Sequence, residues 1–143
     1  MNDDQLKYFV RKYNVAIPKE TLETETLAMT ASELQRRKYE TMRTGDMFSY
    51  MRTDILQLTE EMKEAALREL QLESLAKAVI KEENITVTEE EVQAEARRIA
   101  GRQNVTLDML KGFFGENLSA IRRDLLENKA LAFLERKQEP EIL

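Results

Sequence analysis

The chain has 143 residues, long enough for one domain or two small ones with a real core. It carries 22 Lys+Arg against 27 Asp+Glu, a net charge of −5, and its 4 Gly and 2 Pro are too few turn-formers for a sheet protein of this size. With neither cysteine nor histidine, disulfides, thiolate and imidazole metal sites, and Ser-His-Asp or Cys-His catalysis are excluded.

The content of Glu, Lys, Leu, Ala and Arg predicts an all-α chain. Leu6, Phe9, Val10 and Tyr13 recur at i, i+3, i+4, i+7 and predict a short helix over 6–13, one that needs an apolar partner. Residues 14–18 break it, and Pro18 suits the first turn of a new helix. A long polar helix is predicted over 19–44, where Leu27, Met29, Leu34, Tyr39 and Met42 are the larger apolar residues, too few for a broadly buried face. Thr44-Gly45-Asp46 marks its end and a reversal. Met47, Phe48, Tyr50, Met51, Ile55 and Leu56 then crowd together without a clear period. A second long helix is predicted from Thr59 to about Glu83, and the two would form a hairpin arm, each helix roughly 35 Å long at ~1.5 Å per residue. Thr88-Glu89-Glu90-Glu91 fits a capping box that opens a helix ending near Gly101. Thr106 caps a short helix to about Gly112. A last helix runs from Glu116 to about Arg136 with Leu118, Ile121, Leu125, Leu126, Ala130, Phe133 and Leu134 as its stripe, and 138–143 read as a frayed tail.

One unit recurs. The run from Asn14 to Glu25 matches that from Asn84 to Glu95, an offset of 70, each reading helix, N-[VI]-x-[IV], then a helix carrying E-x-[LV]-x-x-E.

Chemistry is sparse in this chain. No Walker loop, G-x-G-x-x-G or calcium-loop motif appears, so no catalytic constellation, cofactor or metal is expected. The acidic start, Met1 to Asp4, leads into no apolar run, and no stretch approaches the ~20 apolar residues of a membrane span, so no secretory signal, no membrane partner and a cytoplasmic location are expected. Residues 99–110 have a helix-turn-helix look, but the second helix offers only Lys111 against Asp108, and the negative charge opposes phosphate binding. Nucleic acid therefore ranks well behind the other partners. Arg36-Arg37-Lys38 and Arg122-Arg123 read as solvated faces that can also hold polar parts of a partner. Methionine is the informative residue: Met29, Met42, Met47, Met51 and Met62, five of seven, fall within 34 residues. Flexible, polarisable side chains of this kind suit a surface that accepts many apolar partners, or one that is buried in an irregular core or a dimer.

With these segments placed, the chain resembles the C-terminal domain of bacterial trigger factor. The resemblance runs from about Leu6 to Leu134. Asn14 to Leu22 resembles the family's I-x-V-P-x-x-L junction, Ala76 to Val92 its second junction, and Leu118 to Leu134, with Arg122, Leu126, Lys129, Ala130 and Leu134, its closing helix. The resemblance implies a helical body with two protruding arms, a module also similar to that of SurA-type chaperones. It further implies an ATP-independent holdase for unfolded or nascent polypeptides. Neither the G-F-R-x-G-K ribosome-docking loop nor a prolyl isomerase domain appears here, so ribosome contact would run only through domains absent from this chain.

On this reading 1–143 form a single helical chaperone domain, divided into a lead-in helix and linker (1–18), a hairpin arm (19–83), a compact unit with the second arm (84–137) and a tail (138–143). Met29, Met42, Met47, Phe48, Met51 and Ile55 are the expected client contacts on the first arm, with Phe113 and Phe114 on the second. The competing reading is a structural or interaction protein in which the same residues close a homodimer.

Overall fold

Seven α-helices and no strand make up the described residues, 1–115 and 118–137, of the structure, a computed structural model. They are α1 Asp3–Lys12, α2 Lys19–Thr44, α3 Met47–Met51, α4 Ile55–Glu82, α5 Glu89–Gln103, α6 Leu107–Phe114 and α7 Ser119–Lys137. The chain is all-α, and the reason is local. Side-chain caps start several of the helices, and left-handed residues end them.

At α1, Asn2 and Gln5 form a capping box: the Gln5 amide donates to Asn2 Oδ1 at 2.8 Å and the Asn2 amide to Gln5 Oε1 at 3.0 Å. This starts the helix three residues ahead of its apolar stripe. α2 has the predicted bounds, with Pro18 before its first turn and Gly45 after its last. Gly45, at φ 81°, donates its amide to the Thr41 carbonyl at 2.7 Å. α4 begins at Ile55 rather than Thr59 because the Asp54 carboxylate accepts from the amides of Leu56 and Gln57, at 3.1 and 3.2 Å. α5 and α6 run through Gly101 and Gly112 instead of stopping there. A mid-helix glycine costs only about 1 kcal/mol, and α5 finds a better end at Asn104, left-handed at φ 55°. The predicted start of α7 at Glu116, and the tail 138–143, lie outside the described residues.

The repeat noted in the sequence is a structural one. Asn14 and Asn84 both sit at φ 53°, each ending a helix, and each is followed by four residues without regular structure before the next helix. Asparagine tolerates this left-handed conformation better than other side chains. The residues just before the two asparagines meet: the Tyr13 hydroxyl donates to Glu83 Oε1 at 3.2 Å. Burial and the Glu83 carboxylate push the Tyr13 phenol up from its usual range.

The chain divides into two compact units, Asn14–Ser74 and the remainder, in which Met1–Tyr13 joins the residues from Leu75 onward. The short N-terminal helix therefore finds its partner in the far end of the sequence, with Leu6 and Phe9 buried and the Met1 ammonium 3.1 Å from Glu135. In this unit α5, α6 and α7 close on Val92, Ala96, Ala100, Leu110, Leu118 and Ile121, all buried. Leu118 holds a left-handed φ of 56°, a strain of ~1–2 kcal/mol for a non-glycine residue. Its full burial contributes a similar or larger amount, roughly 1.5–3 kcal/mol. Polar contacts stitch the same helices: Arg122 donates to Glu89 at 2.8 Å, and Lys129 reaches the Thr86 carbonyl at 2.7 Å and Glu91 at 2.9 Å. These hydrogen bonds hold both glutamates below the usual carboxylate range.

The other unit packs differently. α2 buries Thr26, Thr30 and Thr41 rather than any of its three leucines or two methionines. Each hydroxyl donates at 2.7 Å to a carbonyl of its own helix, those of Leu22, Thr26 and Lys38, so no polar group is left without a partner on this face. From α4, Leu58 and Ala66 are the buried apolar side chains of this unit. Arg37 shares a groove with Gln57, Leu58 and Glu61, and Met29 with Met62, so α2 and α4 run antiparallel. Glu33 is clasped by Arg36 at 2.6 Å and Arg37 at 3.0 Å, and these hydrogen bonds lower its pKa to about 2.

Candidate functional site

Among the described residues no three acidic side chains gather as a metal site, and no buried side-chain nitrogen or oxygen lacks a partner. No helix of the described residues is long and apolar enough to cross a membrane. What stands out is apolar surface, and its position follows from the turn chemistry at the end of α2.

Gly45 reverses the chain and α3, five residues long, lies against the last turns of α2. So short a helix has one inward position to offer. Tyr50 takes it, half-buried in a cavity of about 370 Å³ lined by Arg36, Arg37, Glu40, Thr41, Thr44 and Asp46. Met47, Phe48 and Met51 are left outward, 49%, 70% and 74% exposed. Met42 precedes the reversal at 71%, and Ile55 and Leu56 follow it at 49% and 81%. The Arg52 guanidinium stands over the Phe48 ring, 5.8 Å from its centroid, and places a charge at the edge of this surface. One continuous stretch, 42–56, thus presents six large apolar side chains to solvent.

Five of the eight residues singled out in the sequence, Met42, Met47, Phe48, Met51 and Ile55, fall in this stretch. Met29 does not. It is half-buried beside Met62 in a groove between α2 and α4 that also takes in Ala28 and Ser32. The phenylalanine pair on α6 is split. Phe113 is exposed, whereas Phe114 packs against the α5–α7 core, since adjacent helical residues cannot share a face. Phe113 has Met109, one turn earlier, as its exposed companion.

Leu27, Tyr39, Leu56 and Met109 are exposed apolar residues that sequence reasoning left out of the site. Two of them carried a readable signal: the stripe Thr26, Thr30, Thr41 is a helix face, and taking it as the core face turns Tyr39 outward, as reading Leu110 and Phe114 inward turns Met109 outward. Within the basic clusters, Arg36 and Arg37 pair with Glu33 and Arg122 with Glu89. The exposed side chains of α6, the second helix of the helix-turn-helix-like segment, are Asp108, Met109 and Phe113, and an acidic group beside two apolar ones is poorly suited to phosphates or base edges.

The described residues thus form a helical chain whose exposed apolar side chains are concentrated in residues 42–56. Comparison with known proteins gives the family. Residues 1–135 match the family described as bacterial trigger factor protein C-terminus, and the chain belongs to it. It is 32% identical to the trigger factor of Bacillus cytotoxicus and 31% identical to those of Bacillus thuringiensis and Bacillus mycoides, in each case over 134 residues, 94% of this chain. The chain spans about 31% of the length of these relatives. No solved structure matches it.

Proposed function

We propose that this chain is an ATP-independent chaperone module, acting in the cytoplasm, that holds unfolded or nascent polypeptides against scattered apolar patches. The observation that carries the reading is the stretch 42–56, where Met42, Met47, Phe48, Met51, Ile55 and Leu56 are all exposed. Apolar surface left in water at this density lowers the free energy of the system when a client's own apolar groups cover it. Unbranched methionine adapts its shape to many partners, and the surrounding charged residues keep a complex soluble. Met109 and Phe113 supply a second small patch, and weak patches on one chain add through effective concentration. Membership of the trigger factor family supports the same reading.

The test is light scattering of a chemically unfolded, aggregation-prone protein diluted into buffer without ATP, with this chain in few-fold excess. Suppressed scattering is the expected result. The double substitution Met47→Glu with Met51→Glu should cut that protection by about half or more while the helical spectrum stays unchanged, because both side chains are surface residues. Full protection by the double variant would remove this stretch from the mechanism. Protection absent altogether, with a size that holds on dilution, would favour a closed homodimer.

A further inference from the structure

The chain contains no cysteine, tryptophan or histidine, so methionine sulfur is its most readily oxidised side-chain group. The sulfurs are unevenly placed. Met42, Met47 and Met51 stand 71%, 49% and 74% exposed within ten residues of one another, whereas Met29 and Met62 are half-buried against each other's helices. No methionine belongs to the buried core of either unit.

We propose that residues 42–51 form an oxidation site in which two-electron oxidants of the peroxide class convert Met42, Met47 and Met51 to sulfoxides and erase the apolar surface while the fold stands. In each event the sulfur lone pair attacks one peroxide oxygen, and an S–O bond forms as the O–O bond breaks. The departing hydroxide takes the proton of the new S–OH group and leaves as water, so sulfur loses two electrons and the peroxide gains them. The thioether, an adaptable apolar contact, becomes a polar group with a strong hydrogen-bond acceptor. The buried side chains of this unit are Leu58, Ala66 and three threonines, and Met42, Met47 and Met51 are exposed, so helicity is retained on their oxidation. A thiol-dependent sulfoxide reductase reverses the step, returning the oxygen as water and forming a disulfide in the reductant. The consequence for client capture rests on the chaperone reading above; the modification itself does not.

The experiment treats the whole chain with hydrogen peroxide and follows four readouts: a peptide map by mass spectrometry, circular dichroism, bis-ANS fluorescence and client scattering. Met42, Met47 and Met51 should be modified several-fold faster than Met29 and Met62, with exposed Met109 as the internal comparison. Dye fluorescence and protection should each fall about two-fold or more with the helical spectrum unchanged. In a variant carrying Met42→Leu, Met47→Leu and Met51→Leu, dye fluorescence and protection should be the same before and after treatment, whatever their level relative to the unsubstituted chain. Equal rates at all methionines, a loss of helicity in step with modification, or an equal loss in the leucine variant would overturn the proposal. An untreated chain that protects no client counts against the chaperone reading instead, because the map and the dye judge the oxidation site in the same samples.

Discussion

Among the described residues, thirteen of the fifteen buried apolar side chains lie in the unit that joins α1 to the chain beyond Leu75, and only Leu58 and Ala66 lie in residues 14–74. The ten exposed large apolar side chains divide the other way, eight in residues 14–74 and two, Met109 and Phe113, in the other unit. One unit uses its leucines, valines and alanines to build a core. The other buries three threonines of α2 whose hydroxyls are already satisfied, keeps Met29 and Met62 half-buried, and leaves Met42, Met47, Met51 and Phe48 exposed. A thin interface is what frees apolar side chains for an external partner.

The contrast can be broken most sharply in the core-rich unit. Phe9→Ala should lower stability by about 3–5 kcal/mol, read from urea unfolding, since Phe9 is 2% exposed and its loss leaves a cavity. Phe48→Ala, by the same measurement, should stay within about 0.5 kcal/mol. A large cost at Phe48 would mean that its surface is covered. In the thin interface the sign is reversed: Thr30→Leu adds volume where α2 meets α4 and should destabilise by about 1–2 kcal/mol, even though it raises apolar content. Stabilisation by this substitution would show that the threonine face is not closely packed.

The smallest effect tests the Glu33 clasp. Its carboxyl is lowered to about 2 from 4.5, so the stability it contributes is present above 4.5 and is lost as pH falls toward 2. The group lies near the surface, so Glu33→Gln should cost only about 0.5 kcal/mol at pH 7. Its urea midpoint should converge with that of the unsubstituted chain as the pH is lowered through this window. A gap that widens on acidification would contradict the assigned pairing.

Much of this was legible in the residues. Gly45 and Pro18 bounded α2, Thr88 and Thr106 opened α5 and α6, and the spacing of Asn14 and Asn84 marked a repeated helix end that the two equal φ values bear out. Asp54 was passed over as a cap because Thr59-Glu60-Glu61 lay just beyond it, and the capping oxygen nearest the turn prevailed. Gly101 and Gly112 misled as stops, since glycine ends a helix only where a left-handed residue is required, and here Asn104 meets that need for α5. The site was half legible. Composition located the methionines, but which of them face solvent depends on the core face of α2, and a threonine face carries no hydrophobic signal. The pairing of α1 with residues some seventy positions away has no local trace at all; only the apolar stripe of so short a helix hinted at a distant partner.

The central claim is that clients are held on residues 42–56, where the chain has surface but little core. Amide hydrogen exchange of the chain, alone and with an unfolded client bound, measures this directly. Slowed exchange is expected to concentrate in α3 and the helix ends that flank it, with a smaller effect at α6 and the amides of α5 and α7 unchanged. Slowing confined to α5–α7, with residues 42–56 unaffected by the client, would contradict it.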